Sequence, residues 1–161
     1  MISSRRSLAV AVIMAVLVGC NSPFDTRDHL YDGVTLVEFA PVMPAGNYTR
    51  QVGVPVEAEA PVPAQVRIQY ISSTPPSGTV TGTIRVVETS TASEGRHVTF
   101  PDGRTWSIRE GEFFTDLAVQ FIPAGLSAGE SVTLILELED GEGFQASPNY
   151  RLFTFVFSKA G

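Results

Sequence analysis

The residues best placed by type and spacing to do chemistry are three acids in one short run, Glu139, Asp140 and Glu142. Carboxylates are the side chains that bind hard cations such as calcium. Calcium takes roughly six to eight oxygen ligands, several of them converging carboxylates. The run lacks the alternating D-x-D-x-D spacing that makes such convergence local, so solvated loop charge is the simpler reading. His29 and His97 are the only histidines, and no serine sits in a G-x-S-x-G context. A zinc hydrolase or a Ser-His-Asp triad therefore lacks its second cluster. Seventeen acids supply carboxylate pairs by number alone, so pairing across a cleft, as glycosidases need, carries no information. The chain reads as a non-enzyme.

One further reactive side chain remains, the thiol of Cys20, the sole cysteine. It closes a distinctive N-terminus. Residues 1–6 carry Arg5 and Arg6, and residues 8–18 are an unbroken apolar run. The run is too short to span a bilayer, which needs about 20 residues, but suits a signal peptide. It ends Leu17-Val18-Gly19-Cys20. This resembles the lipobox of bacterial lipoproteins. The resemblance implies lipidation of the Cys20 thiol, cleavage after Gly19 and acylation of the new amino group. Two or three acyl chains hold a protein stably at a membrane where one does not. Asn21 stands where Asp would imply inner-membrane retention, so the resemblance implies the outer membrane, on a face left open. A single cysteine leaves no internal disulfide, so stability must come from packing.

Charge agrees with a lipid anchor. The whole chain carries net −6; removing residues 1–19 leaves nine basic and 17 acidic side chains, net −8. Nucleic-acid binding needs a basic face to displace counterions from phosphates, and nothing here supplies one. Anionic headgroups would also repel the domain. The chain divides into a signal peptide (1–19), a lipidated tether (20–33) that is polar and aperiodic, and a domain (34–161).

The domain reads as strands: Val, Thr, Ile and Phe alternate with polar residues, and Gly or Pro recurs every eight to twelve residues. Expected strands cover 34–40, 51–58, 64–72, 79–88, 113–122, 131–139 and 150–158. Pro55 marks the second as an edge or a bulge. Residues 97–109 read as a hairpin, with Phe100-Pro101-Asp102-Gly103-Arg104 as its loop, Val98 opposite Trp106, and Gly103 left-handed. That register gathers Val98, Phe100, Trp106 and Ile108 on one face. No stretch has a helical period. About eight strands predict an all-β, immunoglobulin-like antiparallel β-sandwich with Greek-key connections.

From residue 89 onward the order of motifs is suggestive: Thr91-Ala92-Ser93-Glu94-Gly95-Arg96-His97, the Pro101-Asp102-Gly103 turn, Ile108-Arg109-Glu110-Gly111, then Leu117-Ala118-Val119, then Ser131-Val132-Thr133-Leu134 and Leu136. This resembles Calx-beta-type domains and a related immunoglobulin-like domain of short bacterial lipoproteins. Val98 departs from the pattern, standing where that family has Tyr. The resemblance implies the sandwich and brings no enzymatic activity with it; it also implies a calcium possibility at one end of the sandwich, for which Glu139, Asp140 and Glu142 are the candidates, joined by Glu94, Asp102 or Glu130.

Binding candidates fall on loops at one end, at Asp102, Phe144 and Tyr150, with Tyr48 and Tyr70 as further rim aromatics. Trp106 lies on an apolar face and should be buried. Phe113 and Phe114 are neighbours that should point to opposite faces. The expected function is a lipid-anchored envelope module that binds a glycan or a protein partner. The alternative is a structural or assembly subunit that makes contacts through strand edges.

Overall fold

The computed structural model describes residues 34–43 and 46–161. The signal peptide, Cys20, His29 and the tether lie outside the described residues. Apolar residues at every second position build ten strands: Leu36–Phe39 (β1), Thr49–Val54 (β2), Val62–Ile71 (β3), Val80–Val86 (β4), Val98–Thr99 (β5), Thr105–Ile108 (β6), Phe114–Phe121 (β7), Ser131–Leu138 (β8), Gln145–Ala146 (β9) and Leu152–Lys159 (β10). In β7, β8 and β10, burial alternates almost residue by residue. Side chains of a strand point alternately to its two faces, so each of these presents one apolar row. The strands form two five-stranded sheets, β5-β7-β3-β1-β9 and β2-β10-β8-β4-β6. The sandwich is as the sequence predicts.

Phenylalanines from both sheets fill the centre. Phe121 of β7 lies 4.8 Å from Phe157 and 5.4 Å from Phe155, both on β10. Phe39 of β1 meets Phe153 at 5.7 Å. All five rings are fully buried, worth about 1.5–3 kcal/mol apiece in transfer from water. Such offset contacts add roughly 0.5–1.5 kcal/mol each.

Three features differ from the sequence reading. First, 97–109 is not a hairpin: β5 pairs with β7, whereas β6 pairs with β4 in the opposite sheet. The turn chemistry is as expected, since Gly103 has φ +75° and its N–H donates to the Phe100 carbonyl at 3.0 Å. The turn carries the chain across the core instead of back along itself. Val98, Phe100, Trp106 and Ile108 are all buried, because strands placed in facing sheets bury the same four side chains as a hairpin packed on its apolar face. Second, two strand pairs are parallel, β1 with β9 and β2 with β10. Third, β2 stops at Val54. Pro55 lacks an N–H for the ladder, and its carbonyl accepts from Ala58 N–H in a turn, leaving Val56 exposed.

The parallel pairs arise where the chain changes sheets. Ala40 N–H donates to the Arg67 carbonyl at 2.8 Å. The chain then leaves β3 and enters the second sheet as β2, beside β10. Since β1 pairs only with residues 68–71 of β3, the stretch of β3 before them has no strand on that side among the described residues.

Candidate functional site

That open stretch of β3 positions a surface trough. Inward residues of β3 are Ala64, Val66 and Ile68; Pro63, Gln65, Arg67 and Gln69 face outward. The register with β7 sets Gln65 opposite Ala118, Arg67 opposite Asp116 and Gln69 opposite Phe114. Ala118 is small, so the sheet surface dips between the longer side chains around it. Two adjoining depressions of about 480 and 360 Å³ lie on this face, the smaller one lined by Ala118, and they share Arg50 and Gln65 in their walls. Pro41, Val42 and Met43 line the far side of the larger one.

The polar groups around the trough are held by specific contacts. Arg67 grips Asp116 as a fork, Nε to Oδ1 at 2.9 Å and Nη2 to Oδ2 at 3.0 Å. Its guanidinium also lies 4.1 Å from the Phe114 ring centroid, a cation–π contact. The hydrogen bonds from Arg67 hold the Asp116 carboxyl below the ordinary range, outweighing partial burial. Arg50 arrives from β2, in the other sheet, and its Nη1 donates to the Gln65 carbonyl at 3.0 Å. The Nε and Nη2 of Arg50 and the side-chain amides of Gln65 and Gln69 form no hydrogen bond among the described residues. Such a site offers an apolar flank and unspent donors and acceptors, the usual make-up of a small-ligand surface.

A second cluster adjoins the first. Glu38 of β1 is register partner to Gln69. Burial raises its carboxyl above the ordinary value, against a hydrogen bond with Ser147 that lowers it. Tyr48 and Tyr150 stack nearby, 4.8 Å between centroids and 17° from parallel. Burial, then the charges of Glu38 and Tyr150, raises the Tyr48 hydroxyl.

The loop candidates fare differently from one another. Tyr150 is exposed, as the sequence reading has it, and stacked on Tyr48. Asp102 is exposed on the turn between the sheets. Phe144 is only 3% exposed: its ring packs 5.3 Å from that of Trp106. It is a core residue that fastens its loop to the sandwich, so its side chain is not offered to a ligand. Of the rim aromatics, Tyr70 is partly buried against the core. Phe113 and Phe114 are both exposed, because β7 begins only at Phe114.

Nor do the calcium candidates converge. Glu139 Oε2 accepts from Thr83 Oγ1 at 2.6 Å, and Asp140 Oδ1 accepts from Ala146 N–H at 2.9 Å. Glu94 pairs with Arg104, and Glu130 Oε2 accepts from Ser127 N–H at 2.8 Å. Among the described residues, no three His, Cys, Asp or Glu side chains gather where they would hold a metal ion. These four acids are bound into their own turns or strand pairs instead, while Glu142 and Asp102 are exposed on their loops. His97 sits in a turn before β5, not in a strand. It is buried, and its Nδ1 accepts from Ser93 N–H at 2.9 Å. Its Nε2 is buried without a well-aligned acceptor. Burial, then the charge of Arg96, lowers its pKa from 6.5.

The sequence matches no protein-family model and no curated protein. Solved structures do match. The apo form of the Calx CBD1 domain superposes with a TM-score of 0.54 at 15% identity, over 80% of this chain and 100% of that one. The fold is similar to that of Calx-beta domains. A Bacteroides ovatus protein of unknown function reaches a TM-score of 0.58 at 15% identity, over 84% of this chain and 46% of its own. A second B. ovatus protein, to which carbohydrate binding has been ascribed, gives 0.53 at 18% identity, over 78% of this chain. This chain spans 37% of that protein's length. At these identities the likeness is one of fold.

Sequence reasoning missed the trough because no single motif encodes it. Arg50 and Gln65 meet across two sheets, and Ala118 matters only through its register with β3. The one local signal was the row of polar residues alternating along β3.

Proposed function

We propose that the chain is a lipid-anchored, non-enzymatic binding module of the bacterial envelope, and that it takes a glycan in the trough on the β3–β7 face. The observation that carries this reading is the convergence of Arg50, Gln65, Arg67–Asp116 and Gln69 around a shallow hollow flanked by Pro41, Val42 and Met43. Sugars present hydroxyls at their edges and C–H groups on their faces. Side-chain amides, a guanidinium–carboxylate fork and an apolar flank match that division. The carbohydrate binding ascribed to one fold neighbour supports the same class of ligand. Anchoring is proposed through acyl chains on Cys20 and residence at the outer membrane, on the strength of the lipobox and Asn21.

Two measurements test the two halves. Cys20→Ser should move the protein from the membrane to the soluble fraction and block normal processing; continued membrane fractionation ends the anchoring claim. Ala118→Trp should fill the trough from the solvent side, and retardation of the full chain in glycan-containing native gels should then disappear.

The alternative, an assembly subunit working through strand edges, has one observation in its favour: β2 ends its sheet, and among the described residues its outer edge is unpaired. The edge of β3 beside the trough is less suited to a docking strand. Arg50 already occupies the Gln65 carbonyl, and Pro63 has no N–H to give. Copies linked through β2 would be seen as an oligomer that a proline at Gln51 dissolves.

A further inference from the structure

The side chains that line the trough sum to a positive charge. Two guanidiniums, Arg50 and Arg67, line it with one carboxylate, Asp116. Asp116 is committed to Arg67 through both of its oxygens, so that pair is neutral. Arg50 has no carboxylate within ion-pair distance among the described residues. Its only hydrogen bond there is to a backbone carbonyl. The hollow is therefore net positive on a chain of net −6. Glu38 belongs to the row beyond Gln69, where it bonds Ser147 and faces Tyr48. A guanidinium with an uncommitted edge beside free amides suits a carboxylate, which it binds with two parallel hydrogen bonds.

We infer that the trough selects acidic glycans, with the uronate carboxylate of the ligand seated on the Nε–Nη2 edge of Arg50 and adjacent hydroxyls on Gln65 and Gln69. This rests on the glycan reading above and narrows it to a ligand class. Arg67 is kept from the same role by Asp116; the fork it forms is a fixed polar wall that accepts hydroxyl donors. Gln65 links the two halves of the trough, so a chain of sugars runs from the Met43 side toward Gln120 and Pro101.

The test is calorimetric titration of the full chain, purified in detergent, with polygalacturonate oligomers and with neutral xylan oligomers. The acidic ligand should bind at least tenfold tighter than the neutral one and weaken steeply with salt. Arg50→Met, which keeps the apolar stem, should remove the preference. Arg109→Met, an exposed arginine outside the trough, should leave it intact. Should Arg50→Met fail to fold, Ala118→Trp serves instead and must abolish binding of the acidic ligand. Equal binding of the two ligands, or an acidic preference that survives both trough variants, overturns the inference while leaving glycan binding in place. Binding of neither ligand overturns the broader reading as well.

Discussion

Gly82 of β4 lies directly beneath the indole of Trp106, its register partner on β6. A methyl group at Gly82 would stand 2.4 Å from Trp106 Cζ2 and 2.9 Å from Phe144 Cζ. Real side chains do not approach so closely, so either both rings move or the strand pair opens. Gly82→Ala should cost about 1–3 kcal/mol, the usual penalty for overfilling a packed core. Urea denaturation reads this directly; a midpoint at the wild-type value would mean that the rings have room the structure does not show.

Phe144 is the other half of that contact. Removing its ring should cost about 3–5 kcal/mol, as for other buried aromatics. Phe144 lines neither depression, which gives the substitution a second use. Phe144→Ala protein that remains folded should bind glycan like the wild type, whereas a ligand-contacting residue would lose binding before stability.

His97 makes stability depend on pH. Its folded pKa lies below its unfolded value of about 6.5, because burial and Arg96 disfavour the imidazolium while Glu130 and the Gly125 carbonyl only partly oppose them. Above 6.5 both states are neutral there, and the residue adds no slope. As pH falls below 6.5 the unfolded chain takes up a proton first, so stability declines until the folded pKa is passed. His97→Gln should flatten the part of the curve that lies just below pH 6.5. An unchanged slope would show that the loss comes from carboxylates alone.

Arg67 and Asp116 are both substantially exposed, so their fork should contribute less than about 1 kcal/mol to folding in a double-mutant cycle. Its effect on ligand binding should be larger. Arg67→Lys keeps the charge but cannot span both carboxylate oxygens, and glycan affinity should fall several-fold with little change in melting temperature. Equal losses of affinity and stability would reduce the pair to a structural role.

Much of the fold was legible because it depends on a period of two. The rows Leu117, Val119, Phe121 and Val132, Leu134, Leu136, Leu138 are buried as their alternation predicts. Pro55 likewise marked an edge strand correctly. What the pattern cannot carry is partner choice. Val98 and Trp106 are buried whether their strands pair or face each other across the core, and a Gly103 turn serves either course. Phe144 sits among Gly, Glu and Gln, a loop composition that hides a ring meant for the interior. The trough is harder still, because Arg50 reaches it only after the chain has crossed from one sheet to the other.

That crossing also decides how the domain bears load. A pull arriving at Val34 passes into β1, which is hydrogen-bonded to β3 on one side and β9 on the other. Beyond the crossing, six registered pairs lash β2 to β10 with both strands running the same way. Tension along the strand axis then strains many rungs at once instead of unzipping them singly. A pull between Val34 and the end of β10 therefore shears these pairs and does not peel them.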